Sequence, residues 1–362
     1  MNFVSIIMVI FSLLAAVDRM IGNRFGLGKE FEKGFMLLGT MALSMIGMII
    51  ISPFIADLLE PVLGFVAGTL HIDPSILPAS LFANDMGGAP LSVEVATDEK
   101  MGLFNALVVS SMMGCTVSFT IPYALGIVKR EQHRELLLGL LCGIVTIPVG
   151  CFVSGLICAI PLGALLMNLL PLVIFSGVIG CGLLFFPNAC VKIFGAFGIF
   201  IRALITVGLA LGVLRFLTGK EVIPGLATLE EGMAVCMNAA AVMSGAFPLM
   251  YLVSRLLAKP LKLLGGKIGI NETSAMGLVS SLATSMTTFE MMNRMDKKGT
   301  LLNSAFAVSA AFTFAGHLAF TLAFDAEYLP GMIVGKLVAG VLALLLAVFI
   351  YQRIYDKKTV SV

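Results

Sequence analysis

The sequence predicts an all-α polytopic membrane bundle, and three observations predict it. Of 362 residues, 59% are hydrophobic and only 12% are charged, about half the charged share of an ordinary soluble domain. The apolar residues fall in continuous uncharged runs of about 20, the length of a helix that crosses about 30 Å of hydrocarbon. The alternating short segments of a membrane β-barrel do not appear. This composition excludes a soluble enzyme, a nucleic-acid binder and a disordered chain. The lipid bilayer is the solvent the chain is built for. A net charge of +2 supplies no strong field for acidic partners.

Uncharged runs occur at 2–17, 34–56, 101–128, 136–191, 203–214, 233–254, 273–289, 299–324 and 337–352. The first reads as a span, because no basic residue precedes it as in a signal peptide. The run 136–191 is too long for one crossing, and Pro161 and Gly163 divide it into two helices. His317 is the one ionisable residue in 299–324. No linker or low-complexity stretch interrupts the chain, so 1–362 reads as one membrane domain.

Loop charge sets orientation, because cytoplasmic loops are rich in Lys and Arg. Arg19, Arg24, Lys29 and Lys33 place the first loop inside. Asp57, Glu60 and Asp73, with no Lys or Arg in 57–76, place the next outside. Lys129, Arg130, Arg134 and Lys192 mark inside loops, as do Arg255, Lys259, Lys262 and Lys267, and then Arg294, Lys297 and Lys298. Asp325 and Glu327 lie outside, and the tail with Arg353, Lys357 and Lys358 inside. The expected N-terminus is outside and the C-terminus cytoplasmic.

Two segments then cannot cross. Residues 76–97 start and end outside, and 273–293 start and end inside. Asn84, Asp85, Gly87, Gly88 and Pro90 interrupt the first. Thr284, Ser285, Thr287, Thr288 and Glu290 interrupt the second. Broken backbone at membrane depth is tolerated only where protein or water buries it. Both read as re-entrant hairpins, giving nine spans plus two hairpins.

The chain also resembles itself. Glu32, Gly34, Met45 and Gly47 match Glu230, Gly232, Met243 and Gly245. Leu58 and Pro61 match Leu257 and Pro260. Asp98, Lys100, Leu103, Asn105 and Ser111 match Asp296, Lys298, Leu301, Asn303 and Ser309. The repeats are expected at about 1–160 and 199–352, with an extra span at about 164–186 that inverts the second copy. Glu60 opposite Lys259 fits that inversion. Inverted repeats with broken helices near the midplane are a plan of transporters and some channels.

Asp85 is the sharpest candidate for function. An intramembrane carboxylate is costly unless hydrated or paired, and Gly87 and Gly88 permit close backbone approach. The competing reading is a solvated loop acid. Glu290 is its rough counterpart, with a local ion pair to Arg294 as the alternative. Asn105 and Asn303 offer donors and acceptors to a small polar solute, or bonds between helices; Ser111 and Ser309 lean to the latter. His317 suits a gate or proton-linked role, or is a core histidine bonded to a carbonyl. The seven cysteines lie mostly in apolar runs without a CxxC and read as packing residues. The sequence carries no HExxH, GxSxG or P-loop, so no cofactor, metal or enzymatic chemistry is predicted.

With NDMGG at 84–88, SMMG at 111–114, GIVTIP at 143–148, AFAVSAAF at 305–312, GHLAF at 316–320 and IVGKL at 333–337, the chain resembles the bacterial ethanolamine-utilisation transporter family, EutH. The likeness runs over nearly the whole length. It departs from the family pattern at Gly316, where a carboxylate is expected, at Thr284 and Ser285 in place of two asparagines, and at Glu290 in place of glycine. The resemblance implies an inner-membrane carrier or facilitator that moves ethanolamine inward. Ethanolamine bears a lysine-like ammonium, mostly protonated near neutral pH. Asp85, Asn84 and Asn303 would meet its cation and hydroxyl. Gly87, Gly88, Asn105, Ser111, Thr284, Ser285, Glu290, Ser309 and His317 complete the expected site, and Phe306 or Phe312 would offer a cation–π face. Another small amine, a membrane-embedded enzyme and a scaffold subunit remain as alternatives, and a homo-oligomer is open.

Overall fold

The computed structural model describes residues 3–355. Lys357 and Lys358 of the expected basic tail lie outside them. The side chains at 66, 191, 254 and 257–267 also lie outside the description, Lys259, Lys262 and Lys267 among them. The described residues form helices and no strand. In order these are α1 (Phe3–Met20), α2 (Leu27–Leu70), α3 (Ile76–Leu81), α4 (Gly88–Glu94), α5 (Glu99–Ile127), α6 (His133–Ile157) and α7 (Leu162–Phe185). Then follow α8 (Pro187–Thr218), α9 (Leu229–Ile268), α10 (Glu272–Ala283), α11 (Ser285–Met291), α12 (Lys297–Ala310), α13 (Gly316–Phe324) and α14 (Leu329–Tyr355).

Among the described residues, eight helices are long and apolar enough to cross a membrane: α1, α2, α5 to α9, and α14. Their outer faces carry exposed apolar side chains such as Leu13, Ile174 and Leu345, which suits hydrocarbon rather than water. The core forms around α5, whose residues are nearly all buried, whereas α1 and α8 are mostly exposed. Hairpin 1, α3 with α4, packs against α5, which also touches α6, α12 and α14.

Several boundaries differ from the sequence reading, each for a physical reason. α2 has 44 residues and α9 has 40. At 1.5 Å per residue these are about 66 and 60 Å long, far more than the hydrocarbon core needs, and they lie against each other. The expected loop at 57–76 is helix as far as Leu70. Asp57 and Glu60 sit on its exposed face, so their charge does not end the helix. The long run 136–191 holds the start of a third helix. Phe186 leaves the helical conformation and Pro187 opens α8, the first position being where proline is best tolerated. The run 299–324 is not one helix: it breaks at 311–315 between α12 and α13.

Each hairpin is closed at its base by hydrogen bonds between its two ends. The Asp73 carboxylate accepts from Ser75 N at 3.0 Å, Thr97 N at 3.0 Å, Thr97 Oγ1 at 2.8 Å and Asp98 N at 2.9 Å. In the second half, Asn271 N donates to Asp296 Oδ1 at 3.0 Å, and its amide donates to the Arg294 carbonyl at 2.9 Å. Asp98 then caps α5 through Met101 N, as Asp296 caps α12 through Gly299 N. Lys100 donates to the Ala159 carbonyl and Lys298 to that of Ile268. Four positions matched in sequence therefore do matching work.

Candidate functional site

The tip of hairpin 1 is the short 3-10 turn Asn84–Met86, entered from α3 and left through Gly87. Gly87 has φ 93°, a left-handed conformation that a Cβ makes costly, and a Cβ there would also strike Met48 on α2. A Cβ on Gly88 would collide with the Phe82 carbonyl and the Ser110 hydroxyl. Hydrogen bonds fix the same approach. Ser110 Oγ donates to the Phe82 carbonyl at 2.6 Å, and Ser118 Oγ accepts from Ala83 N at 3.0 Å. The tip is thus clamped between α2 and α5, and the clamp leaves Asp85 half-buried and Asn84 fully buried.

The middle of α5 is π-helical, over Asn105–Gly114 and Thr116–Thr120. Such bulges accompany functional sites. Here the stretch presents the Ser111 carbonyl, which accepts from Lys336 Nζ at 2.7 Å. Lys336 lies in α14 and is 1% exposed; α14 packs on the π-helical part of α5, which the Asp85 turn also touches, and on α13, which carries His317.

Hairpin 2 turns at Thr284, whose hydroxyl accepts from Met286 N at 3.3 Å. Its tip meets the break in the neighbouring span. Phe312 N donates to the Ser281 carbonyl and Phe314 N to the Leu282 carbonyl, both at 3.0 Å. These bonds satisfy backbone that has left the helix, which a low-dielectric interior demands. They also hold Phe312 at φ 62°. His317 begins one residue into α13, directly after the break. The tip of hairpin 1 touches α13 as well, so the two tips reach one place.

That place gathers orphaned polar atoms. Asn84, Ser285, Ser309, His317 and Thr321 are all at most 1% exposed. The Asn84 amide, the three hydroxyls and both His317 ring nitrogens have no protein partner. Buried polar groups are rarely left unpaired, and these belong to the two tips, the break and its flanking helices. A cavity of about 610 Å³ is lined by Thr40, Ser44, Met86, Phe119, Tyr123 and Arg202 among others, Met86 being the residue that ends the hairpin 1 turn. A row of rings runs from its wall inward: Tyr123 to Phe119 at 5.3 Å, Phe119 to Phe312 at 5.8 Å, and Phe312 to His317 at 5.2 Å. A second cavity of about 490 Å³ sits at the base of hairpin 1 beside Asp73, Lys100 and Asn168.

The structure therefore brings together Asn84, Asp85, Gly87, Gly88, Ser285, Ser309 and His317 of the residues singled out in the sequence. Asn105 and Asn303 lie elsewhere, at the hairpin bases. Asn105 exchanges two amide bonds with Asn168 of α7, at 2.8 and 3.1 Å, and donates to Ser75 Oγ at 2.8 Å. The Asn303 amide donates to the Ser274 and Gly299 carbonyls at 2.8 and 2.9 Å, leaving its oxygen unpartnered. Ser111 Oγ donates to the Val108 carbonyl. Thr284 is half-buried at the hairpin turn. Glu290 is exposed and accepts from the Tyr123 hydroxyl at 3.2 Å; no ion pair joins it to Arg294 among the described residues. Lys336 directly precedes the uncharged run 337–352, so the run pattern alone does not single it out. The helix starts at Leu329, which puts this lysine two turns inside. No group of three His, Cys, Asp or Glu among the described residues is placed to hold a metal.

A family profile described as "Ethanolamine utilisation protein, EutH" matches residues 1–350. The chain is 41% identical to "Probable ethanolamine permease EutH" of Listeria monocytogenes, covering 97% of this chain and 94% of that protein. It is 38% identical to the proteins of the same name in Salmonella typhimurium and Escherichia coli, covering 96% of this chain and 94% of each of them. No solved structure matches it.

Proposed function

The chain belongs to the EutH family of ethanolamine-utilisation proteins, and on that premise we propose that it carries ethanolamine inward across the cytoplasmic membrane, by alternating access around the site between the two hairpin tips. The observation that carries this reading is the half-buried Asp85 beside a set of buried polar atoms with no protein partner. Ethanolamine has the complementary parts. Its ammonium needs a carboxylate to replace lost hydration, and its hydroxyl both donates and accepts. Asp85 takes the ammonium. Asn84, Ser285, Ser309 and His317 surround the hydroxyl. The rings of Phe312, Phe119 and Tyr123 offer cation-attracting faces along the inner path.

The two hairpins enter and leave the membrane on one side each. The closed bases at Asp73 and Asn271 support this, since the ends of each hairpin are held at one level. The ninth crossing is made jointly by α12 and α13. The matched work of Asp98 and Asp296, and of Lys100 and Lys298, supports two inverted halves. Asn105 and Asn303 tie hairpins to their neighbouring helices and act as positioning residues rather than ligands. The work is transport, without chemical change to the substrate. Purified protein in liposomes tests it: labelled ethanolamine should enter faster than into protein-free liposomes and emerge unaltered. Equal rates, or conversion of the ethanolamine, contradict the proposal.

A further inference from the structure

An ammonium carries three N–H donors. Lys336 is 1% exposed, and one of its donors reaches the Ser111 carbonyl at 2.7 Å. No carboxylate stands within ion-pair distance of it among the described residues. The titratable groups that face it come from four elements: Asp85 from the tip of hairpin 1, Cys115 from α5, Cys151 from α6 and His317 from α13. α12 also packs on α14, and it presents no titratable side chain between Gly299 and Ala310. Within this set Asp85 is the one carboxylate and Lys336 the one amine. No ion pair ties either to the other among the described residues.

This arrangement constrains what happens when a protonated amine arrives. Asp85 balances one positive charge. A second ammonium beside it leaves an uncompensated charge in a water-poor site, where like charges repel strongly. We infer that Lys336 is the resident cation of the site: it balances Asp85 while no amine is bound, and releases its proton when an ammonium substrate takes Asp85. The step balances. One Nζ–H bond of Lys336 breaks, the electron pair stays on nitrogen, and the proton passes to water in the cavity. One cation enters, one proton leaves, and the net charge of the site is unchanged. The Ser111 carbonyl holds the side chain throughout, since a neutral amine also donates. The inference rests on the transport reading above, and extends it: each ammonium is exchanged for a proton, so the membrane potential does not drive net movement.

Calorimetry on the full-length purified protein tests this, with ethanolamine titrated in buffers of different ionisation heat. The wild type should release close to one proton per ethanolamine bound. Its affinity should weaken as pH falls, by up to about tenfold per pH unit, because protons compete with the amine. Lys336→Gln keeps a donor for the Ser111 carbonyl and cannot titrate. It should bind with almost no proton release and with affinity independent of pH. Lys336→Met is the second variant, with the same expectation. A third readout needs no variant: uptake by wild-type liposomes should not change when a membrane potential is imposed. Binding by the wild type without proton release, undiminished release in either variant, or uptake driven by potential overturns the inference and leaves the transport reading standing. Failure of the wild type to bind ethanolamine at all overturns both.

Discussion

In the first half of the chain the hairpin tip is a 3-10 turn, Asn84–Met86, laid against a helix that never breaks. In the second half the hairpin turns sharply at Thr284, and the neighbouring span breaks instead, at 311–315. The bases of the two hairpins are nearly the same, with Asp73 and Asp98 answered by Asn271 and Asp296. Their tips are not. The first half brings a carboxylate to the centre. The second brings His317, Lys336 and several hydroxyls. A pair of identical tips would bring two carboxylates or two cations together, which repel. In the proposed site, one small cation with a hydroxyl calls for unlike tips on like scaffolds, with the bases holding position and the tips carrying the chemistry.

The tips should therefore differ in what they tolerate. The largest effect is expected at hairpin 1. Gly88→Ala drives a Cβ into the Phe82 carbonyl and the Ser110 hydroxyl, and backbone cannot yield as a flexible side chain does. A loss of about 3 kcal/mol, read as a lower Tm in detergent, is the expected outcome. Thr284→Ala at the other tip removes one cap bond and should cost about 1 kcal/mol. Equal losses would mean that the two tips are clamped alike.

The base of each half is the next comparison. Asn105→Ala strands the Asn168 amide, whose donor and acceptor both pair with Asn105. Leaving a buried amide unsatisfied costs about 1–3 kcal/mol. Asn105→Leu with Asn168→Leu should recover part of that, in a double-mutant cycle on Tm. Asn303→Ala leaves only backbone carbonyls behind, and should cost about 1 kcal/mol. In both, uptake per folded molecule should stay near wild type if these side chains position the hairpins, as proposed; a large loss of uptake would make them ligands.

Glu290→Gln should do least. The side chain is exposed and keeps its acceptor for the Tyr123 hydroxyl, so stability should move by under about 0.5 kcal/mol. A large drop in uptake would place Glu290 on the transport path itself.

What the sequence could tell follows the same division. The break between α3 and α4 was legible because Asn84, Asp85, Gly87 and Gly88 interrupt an apolar run. The bases were legible through the matched Asp98 and Asp296. The break at 311–315 was not, since Ala311, Phe312, Thr313, Phe314 and Ala315 include neither Gly nor Pro. Phe312 takes its left-handed conformation from bonds to Ser281 and Leu282, far back in the chain. The π-helical stretch of α5 has no composition of its own. Lys336 was hidden for another reason: a lone lysine at the edge of an apolar run looks like one that reaches the membrane surface, and only tertiary packing buries it. The length of α2 was missed because Asp57, Glu60 and Pro61 signal a loop locally, while an exposed helical face accommodates them.

In the proposed site the carboxylate of hairpin 1 holds the ammonium of the substrate. Asp85→Asn preserves shape and removes charge. A hydrogen bond to a charged group contributes about 1.5–3 kcal/mol, so the variant should lose roughly ten- to a hundredfold in apparent affinity. The measurement is initial uptake of labelled ethanolamine into liposomes at limiting substrate, with equal amounts of folded protein of equal Tm. A loss of that size, with melting unchanged, is the predicted result. Wild-type uptake by Asp85→Asn would contradict the account and make the acid a solvated residue of the turn.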